Sequence, residues 1–242
     1  MRAPLPDSLR PEDEPLVQAH LEELKDHPLG KLVSERRLRR MIGVLLERLT
    51  SVTLVAENLI DPHNHSALVR TAEGFGLDRV HVVEMPNKYK RCGAIVRGAD
   101  RWVHIDKHDG LSKSLGNLQA QGFVLAAADV GPDCVPVTEL PDDRPVAIIM
   151  GSERDGLSTR AKTMVDTRFT IPMQGFTESF NVSVSAAITL FEVTKRRRAY
   201  LDRQGIRGEL DEQQRRERLD LWLRKSVKNA KAILEEAQRR QS

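Results

Sequence analysis

Three short polar stretches hold the residues of this chain best suited to chemistry: Asn64 to Arg70, Gly151 to Gly156, and Gly175 to Ser183. Each follows an apolar run of strand length, and in alternating strand–helix chains ligands settle where strands end and loops begin. In the third stretch Pro172 and Gly175 keep regular structure out of the approach. Ser179, Asn181 and Ser183 are small polar residues of the kind that satisfy open amides at a helix start. A polar loop that feeds an apolar helix suits a ligand held by backbone groups. Other chemistries are excluded. There is no Gly-x-Gly-x-x-Gly for a dinucleotide and no Walker A loop for a nucleotide triphosphate. The seven His and two Cys show no metal-ligand spacing. His63 and His65 flank Asn64, which puts them on different sides of a helix start, so no metal is expected.

Each candidate also has a plain structural reading. Arg70 can be a helix arginine pairing Glu73 or Glu57. Glu153 can be a carboxylate receiving amides near Ser158, and Ser179 and Asn181 can be caps and nothing more. Gly151 and Gly156 either permit close backbone approach to a ligand or simply make a turn. Ile149, Leu157, Ile171 and Met173 read as core by side chain, with their backbones available to a pocket.

The elements that must position these residues alternate along the chain. Residues 1–10 read as a loose lead-in and 11–25 as an acidic helix that ends at His27-Pro28-Leu29-Gly30. Ser34 is placed to cap an amphipathic helix with Leu38, Met41, Ile42, Leu45, Leu46 and Leu49 on one face and its arginines opposite. Strands are expected at 52–56, 79–84, 102–105, 123–129 and 146–150. A further short strand is expected at the start of the stretch that begins with Ile171. Asn64 is expected to cap a helix ending at Gly74-Phe75-Gly76, a polar helix spans about 111–121, and Ser158 caps a short one. After Asn181 the residues Val182, Val184, Ala186, Ala187, Ile188, Leu190, Phe191 and Val193 make a helix apolar over too broad a face for a surface helix, so burial on several sides is expected. The last segment, 207–240, reads as one or two basic helices with Leu219, Trp222, Leu223 and Val227 on one face. Strand, loop and helix in alternation give an α/β fold with a mostly parallel sheet and helices on both faces.

At 242 residues the chain has room for one α/β domain with terminal helical extensions, divided here as 1–50, 51–200 and 201–242. Hydrophobic content of 40% and charged content of 30% describe a globular, well-solvated protein. No apolar run reaches the roughly 20 residues that cross a bilayer, the start lacks the apolar core of a secretion signal, and Cys92 and Cys134 make no disulfide framework. A cytoplasmic protein without a membrane partner is expected. The net charge of +3 conceals an asymmetry, since residues 195–242 carry 15 Lys and Arg against 8 Asp and Glu. Arg36, Arg37, Arg39 and Arg40 form a second basic concentration, and Lys88, Lys90, Arg91, Arg97 and Arg101 a third. Such patches meet phosphates or are merely solvated faces, and charge alone does not separate the two.

Together, Asn64-His-Ser-Ala-Leu-Val-Arg70, Gly151-Ser-Glu-Arg-Asp-Gly-Leu157 and Ile171-Pro-Met-Gln-Gly-Phe-Thr-Glu-Ser-Phe-Asn-Val-Ser183 resemble the three signature motifs of the SPOUT RNA 2′-O-ribose methyltransferases, in the family's order. The likeness spans about residues 34–200 and is to the TrmH branch, which methylates a D-loop guanosine of tRNA. Phe180 stands where Leu is usual, and His65 where an apolar residue is expected. The resemblance implies a C-terminal deep trefoil knot, S-adenosylmethionine as methyl donor, tRNA as substrate and a homodimer. The family's catalytic positions fall on Asn64, Arg70, Glu153, Ser179 and Asn181. Those around the cofactor fall on Met150, Gly151, Glu153, Gly156, Leu157, Ile171, Met173, Phe180 and Asn181. The basic residues Arg36, Arg37, Arg40, Lys90, Arg91, Arg97, Arg215, Arg216 and Arg224 become RNA-binding candidates. Methylation of another tRNA site or of ribosomal RNA, and a non-catalytic RNA-binding or assembly role, are the competing readings. Guanidinium is too weak an acid to serve as a literal base, so the expected role of Arg70 is to bind the adjacent phosphate and stabilise developing alkoxide charge.

Overall fold

The computed structural model describes residues 10–84 and 87–241, so the expected lead-in over 1–10 lies outside the described residues apart from Arg10. In chain order the elements are α1 (Glu14–Asp26), α2 (Glu35–Leu45), β1 (Val52–Glu57), α3 (Pro62–Gly74), β2 (Arg79–Val83), α4 (Gly93–Val96), β3 (His104–His108) and α5 (Leu111–Ala120). They continue with β4 (Val124–Ala128), β5 (Val135–Pro136), β6 (Val146–Met150), α6 (Thr159–Met164), β7 (Thr167–Thr170), α7 (Val182–Arg203), α8 (Glu212–Ser226) and α9 (Ala230–Gln241). The chain folds as two compact units, one made of residues 49–207 and the other of 1–48 together with 208–242.

The larger unit is built on a seven-stranded sheet in the order β3-β2-β1-β6-β4-β7-β5, every named pair parallel. Strands β1 and β6 are buried along their whole length, as continuous apolar runs in the middle of a two-sided sheet should be. On one face Leu54, Ala56, Ile148 and Met150 pack with Leu68, Val69 and Ala72 of α3 and with Ala186, Leu190 and Val193 of α7. On the other, Val55, Ala147 and Ile149 pack with Leu115 and Leu118 of α5 and Ala161 of α6. In the smaller unit the apolar stripe of α2 is buried at Leu38, Met41, Ile42 and Leu45, and Leu219, Trp222 and Leu223 of α8 are buried as well. Arg48 is fully buried there, with its guanidinium 5.3 Å from the centre of the Trp222 ring. Among the described residues no helix is long and apolar enough to cross a membrane.

Several local expectations change. The third strand is His104–His108 and not 102–105, because Ala99–Arg101 closes a 3₁₀ turn that carries Trp102 at its end. The strand before the third polar stretch stops at Thr170, one residue short of Ile171 and Pro172, since proline has no N–H for the ladder. Ser34 does stand at the N-cap of α2, but its side chain makes no capping bond. Asn64 is not a cap. Helix α3 begins two residues earlier at Pro62, and Asp61 caps it by accepting from the His63 N–H. Finally, α7 is buried on one face only within this chain, with Val184 and Phe191 left 44% and 55% exposed.

Candidate active site

Three sequence-distant stretches converge beside the C-terminal ends of β1, β4, β6 and β7. After β6 the chain folds back on itself: Ser152 and Gly156 exchange two backbone hydrogen bonds of 2.9 and 3.0 Å. A side chain at Gly151 is impossible in this turn, because a Cβ there would lie 2.3 Å from the Gly156 carbonyl carbon. Gly156 itself takes a left-handed φ of 65°. The Ser158 hydroxyl then caps α6, accepting from Ala161 N–H at 3.0 Å.

Glu153 projects from this turn toward the start of α3. Its carboxylate accepts from the N–H groups of Ile60 and Asp61 at 2.9 and 3.2 Å and from the Asn64 amide at 2.7 Å. Burial pushes this carboxyl up, but the bonds from Ile60, Asn64 and Asp61 outweigh it and hold its pKa below the ordinary value. The amides it receives are therefore those entering α3. The Ser158 N–H goes instead to Glu57, at 3.2 Å. Asn64 is buried inside α3, and its carbonyl oxygen accepts from the Asn181 amide at 3.3 Å. Asn181 caps α7, its side-chain oxygen accepting from Ser183 N–H at 2.8 Å and from the Ser183 hydroxyl at 2.6 Å. A single row, Glu153–Asn64–Asn181–Ser183, thus joins all three stretches.

Beside this row lies a cleft of about 510 Å³. Met150, Gly151, Glu153, Gly156, Leu157, Ile171, Met173, Phe180 and Asn181 all line it, and so does Ser179. Ile149 does not, because its side chain points to the opposite face of the sheet. The cleft also contains residues that sequence reasoning passed over, among them Asp129, Val130 and Glu178. The signal for the first two was available: they directly follow strand β4, before the Gly131-Pro132 turn. Asp129 is tied to Lys162 and Arg168 at 3.0 and 3.2 Å.

Arg70 is not part of the cleft lining. It is exposed on α3, and its Nη1 donates to the Ile95 carbonyl at 3.3 Å. His63 is exposed and His65 buried, the latter edge-on to Tyr89 with ring centres 5.3 Å apart. Burial pushes the His65 pKa down. No group of three or more His, Cys, Asp or Glu among the described residues is arranged to hold a metal ion.

The basic candidates divide by what they bind. Arg91 is paired to Asp100 at 2.6 Å, Arg216 to Glu23 and Glu212 at 2.7 Å each, and Arg224 to Asp220 at 2.6 Å. Arg215 donates to the Leu210 carbonyl at 2.5 Å, and Arg37 reaches the Ser226 hydroxyl at 3.4 Å. The Arg97 side chain makes one bond among the described residues, to the Ala94 carbonyl at 3.4 Å. Arg36, Arg40 and Lys90 are exposed and have no bonded partner among the described residues. The basic tail is therefore less free than its charge count implies.

Residues 51–191 match the SpoU rRNA Methylase family. A tRNA (guanosine(18)-2′-O)-methyltransferase of Thermus thermophilus is 33% identical over 164 residues, 68% of this chain and 84% of that protein. One from Escherichia coli is 31% identical over 161 residues, 66% of this chain and 70% of that one. Among solved structures, a TrmH/SpoU tRNA modifying enzyme of A. aeolicus superposes with a TM-score of 0.73 at 29% identity, covering 81% of this chain and 98% of that chain. The SpoU methyltransferase AviRb of Streptomyces viridochromogenes, solved with AdoMet, shares the fold with a TM-score of 0.56 at 22% identity, over 63% of this chain and 62% of that one.

Proposed function

This chain belongs to the SpoU rRNA Methylase family, and from that membership we propose that it transfers a methyl group from S-adenosylmethionine to a ribose 2′-hydroxyl of tRNA, at a D-loop guanosine. The observation that carries the reading is the hydrogen-bonded row Glu153–Asn64–Asn181, which draws three distant stretches to one cleft. The names of the relatives set the substrate class.

The cleft suits this cofactor. Its volume of about 510 Å³ is in the range of small-molecule sites, and Glu153 and Glu178 on its wall offer negative charge to a sulfonium- and ammonium-bearing ligand. Met150, Gly151, Gly156, Leu157, Ile171, Met173 and Phe180 would hold it, and it would supply a methyl group already activated for transfer. The chain's own part is to align the 2′-hydroxyl and to stabilise charge as that hydroxyl gives its proton to solvent. Arg70 takes the second role: its guanidinium binds the neighbouring phosphate and stabilises the developing alkoxide. Asn64, Ser179 and Asn181 fix the loops around the acceptor, and Glu153 holds them together.

Three further elements belong to this proposal. The C-terminal trefoil knot is supported by the order of the sheet: β6 enters between β1 and β4, and β7 between β4 and β5, so the chain leaves β7 from inside the sheet. The homodimer is supported by Val184 and Phe191 of α7 and by Phe180 before it, exposed at 44%, 55% and 41%. A tRNA substrate places the work in the cytoplasm, with Arg36, Arg40 and Lys90 among the basic residues open to RNA. The test is incubation with isotopically labelled S-adenosylmethionine and separate unmodified tRNA and rRNA pools, followed by mass mapping of nucleosides. Label on a D-loop 2′-O-methylguanosine is expected. Label confined to rRNA, or none, overturns the proposal.

A further inference from the structure

The segment between β2 and β3 is fastened to α3 at two points. Cys92 donates its N–H to the Ser66 hydroxyl at 2.8 Å, and Arg70 donates to the Ile95 carbonyl at 3.3 Å. Cys92 stands at the start of helix α4 and Ile95 within it, and Arg97 closes the helix with φ 46° and ψ 34°. A left-handed conformation is costly for any residue with a Cβ, and structures keep such residues where the side chain is needed. Glycine would hold this turn without strain, and Gly98 does so at the next position with φ 83°.

The Arg97 side chain does little for the fold. It is exposed, and its one side-chain bond among the described residues, to the Ala94 carbonyl at 3.4 Å, stays within its own short helix. No carboxylate pairs with it among the described residues. Arg91 in the same segment behaves differently, being locked on Asp100 at 2.6 Å. A strained backbone thus presents an unneutralised guanidinium two residues from the carbonyl that aims Arg70.

We propose that Arg97 is a substrate-binding residue that, together with Arg70, grips the phosphodiester next to the ribose being methylated. The inference rests on the reading of this chain as an RNA ribose methyltransferase and adds to it a second phosphate contact. Two planar guanidinium forks match the oxygens of a single phosphate group better than one. On this view the Ile95 carbonyl holds Arg70 in place until RNA arrives, and the αL turn sets the spacing between the two arginines.

The test compares the full-length protein with Arg97→Gly and Arg97→Lys. Four quantities are measured: melting temperature, affinity for S-adenosylmethionine by calorimetry, methyl transfer to unmodified tRNA, and equilibrium tRNA binding across a salt series. Glycine relieves the strain, so Arg97→Gly should melt higher than the parent and bind the cofactor as well as the parent does. Its KM for tRNA should rise about tenfold, the size of one lost charge-assisted hydrogen bond. Its salt slope should fall by about 0.7–0.9, the release of one counterion. Arg97→Lys should recover the salt slope but not the KM, since it restores charge without the fork. An Arg97→Gly protein with wild-type KM and salt slope overturns the inference, and so does one that loses melting temperature and cofactor affinity together. A parent protein that binds tRNA but transfers no methyl defeats the enzyme reading instead. In that case the salt slope of binding still decides whether Arg97 meets a phosphate.

Discussion

Replacing Glu153 should disconnect the cleft from helix α3. Its carboxylate is the common acceptor for Ile60 N–H, Asp61 N–H and the Asn64 amide, at 2.9, 3.2 and 2.7 Å. In Glu153→Ala all three donors lose their partner. Ile60 and Asp61 can turn to water, so their share is small, whereas Asn64 is 8% exposed and has little access to solvent. Three net hydrogen bonds, discounted for exposure, come to roughly 1–3 kcal/mol. For a chain of this size that is a fall in Tm of roughly 3–10 °C. The larger effect is local. Once Asn64 is free to turn, Asn181 loses the acceptor that fixes its amide at 3.3 Å, and both Asn181 and Glu153 are on the cleft wall. Calorimetry with S-adenosylmethionine should show about tenfold weaker binding, equivalent to 1.4 kcal/mol, and methyl transfer should fall further. Glu153→Gln should resemble Ala more than the parent, because its amide would face three donors with only one oxygen. A double-mutant cycle with Asn64→Ala should give a coupling above about 0.5 kcal/mol. If Glu153→Gln keeps both cofactor affinity and transfer within twofold of the parent, the row of bonds does not organise the cleft and the reasoning fails.

Gly151→Ala should unfold the turn after β6, since the new Cβ would sit 2.3–2.5 Å from backbone atoms of Gly156 and Leu157 that cannot move aside; a loss of about 3 kcal/mol in thermal melts, with no measurable cofactor binding, is expected. Arg70→Ala should abolish methyl transfer with cofactor affinity nearly unchanged, and Arg70→Lys should also be poor; equal loss of transfer and binding would make Arg70 structural. Stability should decline in acid through His81, whose pKa burial lowers from 6.5 to about 4, with His108, Arg79 and His104 lowering it further and Asp106 opposing. The unfolded chain takes up the proton first as pH falls, so the loss begins near 6.5, ends near 4 and amounts to at most about 3 kcal/mol; chemical denaturation of His81→Phe against pH should flatten that limb. Glu153 acts in the same direction at lower pH: its lowered pKa means its contribution is intact above the ordinary carboxylate range and is lost as pH falls from there through its lower folded value.

Much of the fold could be read from local pattern. Apolar runs such as Val146–Met150 are buried strands, the stripe of α2 faces inward, and α3 ends at Gly74, with Gly76 at φ 81° beyond it. The errors came where a side chain had more than one possible use. Asn64 has the chemistry of a cap, but Asp61 with Pro62 starts the helix first and leaves Asn64 free for a tertiary bond. The apolar breadth of α7 was visible, yet which part of it one chain would cover depends on the sheet and α3 packing against it. Basic residues were the least legible. Arg36 and Arg216 look alike in a charge count, but Arg216 meets Glu23 across 193 positions of sequence.

The same limit explains why the candidate site was recognisable as three motifs but not as one structure. Spacing along the chain carries no record of a bond between Asn64 and Asn181, which are 117 positions apart, or between Asn64 and Glu153, which are 89 apart. What brings them together is the pairing of β1 with β6 in register, Ala56 opposite Met150. That pairing places the loop leading to α3 beside the loop leading away from β6, so Glu153 needs only its own side-chain length to reach Ile60. Packing of α7 on the same face as α3 then supplies Asn181 from the far end of the domain. A carboxylate that accepts three bonds from another loop can be removed only by unmaking that junction. Glu153 is therefore a structural residue that also stands on the wall of the cleft, and the amides it receives are those entering α3, not the one at Ser158.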